Sequence, residues 1–187
     1  PNEFFIPDYW EDSNKSIISA RNWIRFQNEY SNTTFIAVVQ GKNLLEVMNC
    51  YQTYKDLGYQ KIAFSYGASY YNELVPHPNK DLGKALGRIH VISKLYEWKT
   101  IDRTDRVHLL GCSVPQEFSW YQDMPFIESI DTSNPIMATL DNVEYGSFGL
   151  FNKPKACMND NLHINIRNVN LDILYANLTK FRLINNL

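Results

Sequence analysis

Asp131 is the residue of this chain whose position best suits covalent chemistry. It ends an apolar run, residues 126–131, that is followed by the turn-forming segment 132–135. A short apolar run bounded by turn residues is typical of a buried strand, so the carboxylate is expected at the carboxyl end of that strand. An aspartate in such a place can attack the anomeric carbon of a sugar and hold a covalent glycosyl intermediate. The competing interpretation is an ordinary N-cap or turn aspartate ahead of Pro135.

Polar residues also follow four earlier apolar runs. Asp8 ends the first run, and a carboxylate there can accept hydrogen bonds from the N–H edge of a guanine-like base. Gln40, followed by Gly41, ends the second run, and a carboxamide can both donate to and accept from the edge of a base. The ordinary alternatives are a helix cap or turn for Asp8 and a satisfied loop amide for Gln40. The sequence therefore predicts that Asp8 and Gln40 bind a base, and the ordinary structural interpretation of each residue stays open.

The third run ends in Ser65, Tyr66 and Gly67, which can offer backbone groups or an aromatic surface to a base. Aromatic side chains near the predicted loops could stack on a base, or they could pack as a satellite of the core. These aromatic residues are Tyr9, Trp10, Tyr70 and Tyr71.

The fourth run contains His108 and ends at Cys112. A cysteine at the start of a helix can be a thiolate nucleophile, but no histidine is placed beside Cys112 by the sequence, which favours a small buried residue. His108 lies in the middle of its run and is interpreted as a core histidine. A loose basic segment near the carboxyl end could contact phosphates or lie in solvent; its members are Lys153, Lys155, Arg167, Lys180 and Arg182.

Helical patterns separate the apolar runs. The spacing of apolar residues predicts helices over 14–29, 43–57, 81–98 and 168–183, with a short helix near 114–122. Alternation of strands and helices with short connections predicts a parallel sheet, and the carboxyl ends of its strands are where ligands bind in such folds. Five strands cannot close an eight-stranded barrel. An open sheet and the second part of a barrel whose first strands are missing both remain possible.

Composition limits the classes of function. The chain has 187 residues, 44% of them hydrophobic, and a net charge of −2, which suits one domain over residues 1–187 and excludes a general electrostatic attraction to nucleic acid. The three cysteines have no zinc-binding spacing and suggest a reducing compartment, so we expect a cytoplasmic protein. No apolar stretch reaches the roughly 20 residues of a membrane helix.

The order of these motifs resembles the tRNA-guanine transglycosylase (queuine tRNA-ribosyltransferase) superfamily. It is most similar to the shorter phage-type relatives that insert 7-deazaguanine bases into DNA or tRNA, which would make this a viral protein produced in host cytoplasm. The resemblance covers roughly residues 4–135 and is carried by an aspartate-ended strand, a Val-Gln-Gly strand end, a Gly-containing strand end, a His-Leu-Leu-Gly strand followed by Pro, and a final aspartate. The corresponding positions are 5–8, 38–41, 64–67, 108–115 and 129–131.

The resemblance implies an α/β fold of the parallel (β/α) TIM-barrel type, of which five βα units are present here. It implies a pentosyltransferase that needs no cofactor and exchanges guanine in a nucleic acid for a 7-deazaguanine base. Asp131 would be the nucleophile, and the base would be recognised from the first three strand ends. Those substrate-binding positions are Asp8, Gln40, Gly41, Ser65, Tyr66 and Gly67.

The chain also departs from the family pattern. The Gly-Gly-Leu of the family is replaced by Ser65-Tyr66-Gly67, no cysteine cluster for zinc follows Asp131, and the Asp-Ser-Gly-Gly-Phe motif of the general acid/base is absent. We therefore expect no structural zinc. The first strands would be missing before Pro1, or supplied by a partner chain or a second copy in a homo-oligomer, or the protein would be inactive alone. Two alternative functions stay open: a non-catalytic nucleic-acid-binding or scaffolding subunit, and an unrelated TIM-barrel enzyme on a phosphorylated metabolite that uses residues 146–149 as a phosphate loop.

Overall fold

Five parallel strands form the centre of the protein, in a computed structural model that describes residues 2–157 and 159–187. The strands lie in the sheet in their order along the chain, as expected when each βα unit adds the next strand on the same side. Every neighbouring pair is parallel. The strands are β1 (Glu3–Phe5), β2 (Thr34–Val39), β3 (Lys61–Ser65), β4 (Val107–Leu110) and β5 (Ile127–Asp131).

Helices connect the strands and cover one face of the sheet. They are α1 (Ser13–Trp23), α2 (Leu44–Leu57), α3 (Tyr71–Leu74), α4 (Lys80–Glu97), α5 (Asn134–Leu140) and α6 (Leu171–Asn185). Short 3₁₀ segments lie at Ile24–Gln27, Pro115–Tyr121, Asn159–Asn161 and Ile166–Asn168. None of the helices in the described part of the chain is both long and apolar enough to cross a membrane.

Side chains alternate between the two faces of each strand. Phe35 and Phe64 face the helices and belong to the main hydrophobic core. Ile36, Val38 and Ala63 face the other way and form a small separate cluster. The sheet therefore has a helix-covered convex face and a second, concave face with its own buried side chains.

The sheet curls strongly about this concave face. Phe5 of β1 and His108 of β4 have ring centroids 5.3 Å apart. In a flat sheet these two strands would be separated by three strand spacings, roughly 14 Å. The five strands thus form a curled half-barrel, which the alternation of apolar runs alone did not distinguish from an open sheet.

Lys61 joins the two edge strands at the amino end of this half-barrel. Its ammonium group contacts Glu3 of β1 at 2.7 Å and Glu128 of β5 at 3.1 Å, and its side chain is only 2% exposed. A buried charge is tolerated only when it is paired in this way. Because both carboxylates come from strands at opposite edges, this three-residue cluster holds the curl.

Most predicted elements are present, with two informative differences in their extent. Helix 43–57 is confirmed closely as α2, which Asn43 caps and Gly58 ends in a left-handed conformation at φ +90°. The prediction of one helix over 14–29 was wrong beyond Trp23, where the chain tightens into a 3₁₀ segment. The predicted fifth strand exists but is not buried, because β5 is an edge strand with partly exposed side chains.

Candidate functional site

The carboxyl ends of β2 to β5 place four side chains on one level of the concave face. Ser65 pairs with Leu110, and Leu110 pairs with Asp131. Val39 pairs with Phe64, so the next residue, Gln40, reaches the level of Ser65. The strand ends that the sequence singled out therefore share one edge of the sheet, which we call the mouth of the half-barrel.

Asp8 and Gln40 are in direct contact at this mouth. The buried Gln40 carboxamide donates from Nε2 to Asp8 Oδ2 at 2.5 Å and accepts from the backbone N–H of Glu11 at 2.9 Å through Oε1. Gln40 is thus a satisfied amide that fixes the orientation of Asp8, and it binds one carboxylate oxygen of this exposed side chain. Asp8 is not a helix cap, since Asp12 performs that role for α1.

The loop after Asp8 is tied across the mouth to the loop after β3. The Glu11 carboxylate accepts hydrogen bonds from the hydroxyl and the backbone N–H of Ser69, and these bonds lower the pKa of Glu11. Glu11 itself has φ +51°, a conformation that is uncommon for residues other than glycine. These contacts hold the Asp8 loop in place.

Asp131 is a half-exposed carboxylate with its two oxygens in different surroundings. Oδ1 accepts a hydrogen bond from the backbone N–H of Gly111 at 2.7 Å, and Oδ2 lies 3.8 Å from Nε2 of His108. The His108 imidazole, and then the Gly111 N–H, lower the pKa of Asp131 against the opposing effect of partial burial. The carboxylate is therefore ionised at neutral pH, as a nucleophile must be. It is not an N-cap, because α5 begins three residues later.

His108 is buried, as predicted, but it also faces the candidate nucleophile. Nδ1 is 2.8 Å from Ser129 Oγ, while the buried Nε2 has no hydrogen-bond partner among residues 2–157 and 159–187. A buried polar atom is normally hydrogen-bonded, so an orphaned Nε2 aimed at Asp131 is a feature to be explained. Strand parity puts His108 and Leu110 on one face, and the register that pairs Leu110 with Asp131 then brings the imidazole to the carboxylate.

Tyr66 lies against the backbone that holds Asp131. A Cβ atom on Gly111 would come within 2.5 Å of Tyr66 Cδ1, and Gly111 has φ +65°. The backbone N–H of Tyr66 donates to Leu110, and the carbonyl of Ser65 accepts from the hydroxyl of Tyr71. Much of the backbone of this strand end is thus already engaged within the protein, and the ring of Tyr66 is the surface it presents at the mouth.

Replacing Gly111 with alanine is expected to weaken both the fold and any reaction at Asp131. The positive φ costs about 1–2 kcal/mol for a residue with a side chain, and the new methyl group must also displace Tyr66. A shift of the N–H that holds Asp131 can cost up to about 100-fold in rate. Thermal unfolding and turnover measure the two effects.

Gly58→Ala is the matched control, since Gly58 also has a positive φ but has open space around its Cβ position. The two variants should differ by the cost of moving Tyr66. Equal stability and equal turnover would contradict the packing described here.

The other predicted residues divide into exposed and buried ones. Trp10 is exposed and lies against Gly67, where a Cβ would meet its ring at 2.8 Å, and Tyr9 beside it is also exposed. Tyr70 and Tyr71 are buried in the core, which agrees with the interpretation of these aromatic residues as core packing and excludes them from stacking on a base. Of the four aromatic residues near the predicted loops, Tyr9 and Trp10 are the exposed ones.

Two alternative sites are not supported by the structure. Cys112 is buried, and burial raises the pKa of its thiol to about 12, so it is not a thiolate nucleophile. Gly146 and Gly149 donate their backbone N–H groups to each other's carbonyls at 3.1 and 3.2 Å. Those two N–H groups are therefore not offered to a phosphate.

Gly41 is buried against the start of α2. A Cβ atom added to Gly41 would lie 3.0 Å from the backbone nitrogen of Val47.

The main support of the mouth is Arg88, a residue that the apolar runs and their polar ends did not single out. This fully buried residue of α4 donates to Glu117 at 2.7 Å and to the carbonyls of Phe64, Leu110 and Gly111 at 3.2, 3.2 and 2.8 Å. It therefore binds the ends of β3 and β4 from beneath. The signal in the sequence was an arginine among the apolar positions of a predicted helix. An arginine buried at such a place needs partners for its charge.

Comparison with known proteins does not assign the chain to a family. No model of a known protein family matches it, and no curated protein sequence is similar enough to count as a relative.

Proposed function

We propose that this protein exchanges guanine in tRNA or DNA for a 7-deazaguanine base, with Asp131 as the nucleophile, and that its five βα units form part of a TIM-type barrel. The observation that carries the proposal is the shared mouth. The Asp8–Gln40 pair follows β1 and β2, and Asp131 follows β5. The contact of Phe5 with His108, which lies beside Asp131, brings these edges of the half-barrel together.

The reaction would proceed by two displacements at one carbon. The Asp131 carboxylate attacks C1′ of the nucleoside, so a C1′–O bond forms while the bond from C1′ to N9 of guanine breaks and its electrons leave with the base. The ring nitrogen of the incoming 7-deazaguanine then attacks C1′ and the bond to Asp131 breaks. Guanine gains one proton and the incoming base loses one, so the cycle is balanced. Two inversions give net retention at C1′.

Asp8 would recognise the base in this scheme. A guanine or 7-deazaguanine ring presents adjacent N–H donors, and a carboxylate is their natural acceptor. Gln40 leaves one oxygen of Asp8 available while holding the other. The exposed rings of the same loop, Tyr9 and Trp10, could cover the face of the base.

Replacing Asp8 with asparagine is expected to weaken binding of guanine about 10- to 100-fold with little change in the fold. A hydrogen bond to a charged group contributes about 1.5–3 kcal/mol, which corresponds to this loss. The measurements are KM for the incoming base and equilibrium binding of free guanine.

Asp12→Asn is the control for Asp8→Asn, because it removes the same charge from the same loop while asparagine can still cap α1. Unchanged guanine affinity in Asp8→Asn, or an equal loss in the control, would contradict the role of Asp8.

The proposed activity is tested by exchange of labelled base in the full gene product. Radiolabelled guanine is supplied with unlabelled tRNA in one reaction and with unlabelled DNA in another, and polymer-bound label is counted. We expect label to enter one of the two polymers and to be chased out by an unlabelled 7-deazaguanine. Binding of the polymers without any entry of label would contradict the enzyme and support the scaffolding alternative.

A further inference from the structure

A cavity lies beside Asp131, and neither Asp8 nor Gln40 lines it. Its volume is about 410 Å³, within the range of small-molecule sites. Gly111, which donates its N–H to Asp131, and Thr132, which follows Asp131, both line it. Lys153 and Lys155 line the opposite wall, so we call it the lysine cavity.

The lining residues of the lysine cavity bear positive charge although the chain as a whole carries a net charge of −2. Its twelve lining residues include two lysines and no carboxylate. Neither lysine forms an ion pair within the described segments 2–157 and 159–187. Hydroxyl and amide groups of Tyr66, Thr132 and Asn134 supply the remaining polar surface. This combination of donors suits an anion rather than a cation or an apolar ligand.

The segment that bears the two lysines is fixed in place by side chains of other elements. Asp81 accepts from the backbone N–H of Lys153 at 2.9 Å, and Asp141 accepts from that of Lys155 at 2.5 Å. Asn79 donates to the carbonyl of Phe151 at 2.6 Å. These three side chains bind the backbone of the segment and not the ammonium groups, so the segment is anchored without neutralising either lysine.

Lys153 also connects this segment to the mouth. Its ammonium group lies 2.6 Å from the hydroxyl of Tyr66, whose ring packs against Gly111. Lys153 is therefore linked through Tyr66 and Gly111 to Asp131. A negatively charged group held by Lys153 would lie next to a sugar positioned at Asp131.

We infer that the lysine cavity binds a phosphate of the polynucleotide next to the nucleoside that Asp131 attacks, with Lys153 and Lys155 as its cationic ligands. This inference rests on the proposed function, and it makes a phosphodiester-linked nucleoside the substrate in preference to a free nucleoside. Lysine binds phosphate as a point charge, so the contact adds affinity and position without reading sequence.

The test measures binding of a short fluorescent single-stranded oligonucleotide with one guanine to the full gene product, over about 50–200 mM KCl. In Lys153→Gln/Lys155→Gln we expect affinity to fall roughly ten-fold at the lower salt, and the slope of log affinity against log salt to fall by about 0.7, the value for one phosphate on a single strand. Guanosine should bind both proteins equally. An unchanged slope in the double variant would overturn the inference.

Two further variants separate loss of charge from loss of structure. Lys153→Arg/Lys155→Arg keeps both charges and should retain the slope, which a purely structural role would not predict. Arg21→Gln removes one charge from the exposed surface of α1 and should leave binding unchanged. If guanosine 5′-monophosphate bound as tightly as the oligonucleotide, with the same dependence on the lysines, the polynucleotide would be the wrong ligand and the inference would fail.

Measuring the same binding in Asp131→Asn keeps this inference separate from the proposed function, because binding does not require exchange. Lysine-dependent binding in a protein that never exchanges base would uphold the phosphate site and sink the transglycosylase. Base exchange that proceeds with no lysine-dependent salt slope would sink the phosphate site alone.

Discussion

Replacing Asp131 with asparagine is expected to reduce base exchange by about 10⁴-fold or more, because a carboxamide is not a nucleophile at a sugar carbon. The change is nearly isosteric, and the carboxamide oxygen can still accept the Gly111 N–H that now binds Oδ1. The half-exposed side chain makes no other hydrogen bond within 2–157 and 159–187 that would be lost. Exchange of labelled guanine and the thermal unfolding midpoint are the two measurements.

Asp123→Asn is the control for Asp131→Asn, since it removes one exposed carboxylate from the loop before β5. Exchange at the normal rate in Asp131→Asn would remove Asp131 from the reaction. Loss of exchange in both variants would point to a general effect of charge.

Replacing Arg88 with methionine is expected to destabilise the protein by about 3–5 kcal/mol. The change leaves the Glu117 carboxylate buried without its charge partner and removes one donor from each of three strand-end carbonyls. Breaking one side of a buried ion pair is costly because the remaining charge is not solvated. Urea unfolding followed by circular dichroism measures the loss.

Arg88→Met/Glu117→Gln is the decisive companion variant, because removal of both charges is far less costly than removal of one. It should recover a large part of the lost stability. The stability of Arg88→Lys should lie between that of the unmodified protein and that of Arg88→Met. Lysine keeps the charge, but it cannot bind four acceptors as the planar guanidinium group does. If the double variant were less stable than Arg88→Met, the pair would not be the reason for the burial of Arg88.

The strand ends could be predicted because each apolar run is short and stops at a residue that favours a turn. Phe64 and Val39 are apolar on the helix-covered face, and Gln40 and Ser65 are the polar residues of the opposite parity at the carboxyl ends of their runs. That pattern places Asp131 at the same edge as Gln40 without any knowledge of three-dimensional structure. The fifth strand was misjudged because an apolar run looks the same at the centre and at the edge of a sheet.

The curl of the sheet and the support beneath the mouth could not be predicted in the same way. Curl depends on contacts between strands that are not neighbours, such as Lys61 with Glu3 and Glu128, and no local pattern records them. The partnership of Arg88 with Glu117 spans two elements for the same reason. The orientation of His108 toward Asp131 required the register between β4 and β5, which depends on an irregularity after Val107.

The most direct test of the central claim is to locate the covalent intermediate. The full gene product is mixed with guanine-containing tRNA or DNA, quenched in acid, digested with protease and nuclease, and mapped by mass spectrometry. The proposed mechanism predicts a sugar adduct on the peptide that contains Asp131, formed in the absence of incoming base and discharged when a 7-deazaguanine is added. An adduct on any other residue, or base exchange that proceeds with no adduct on Asp131, would contradict it.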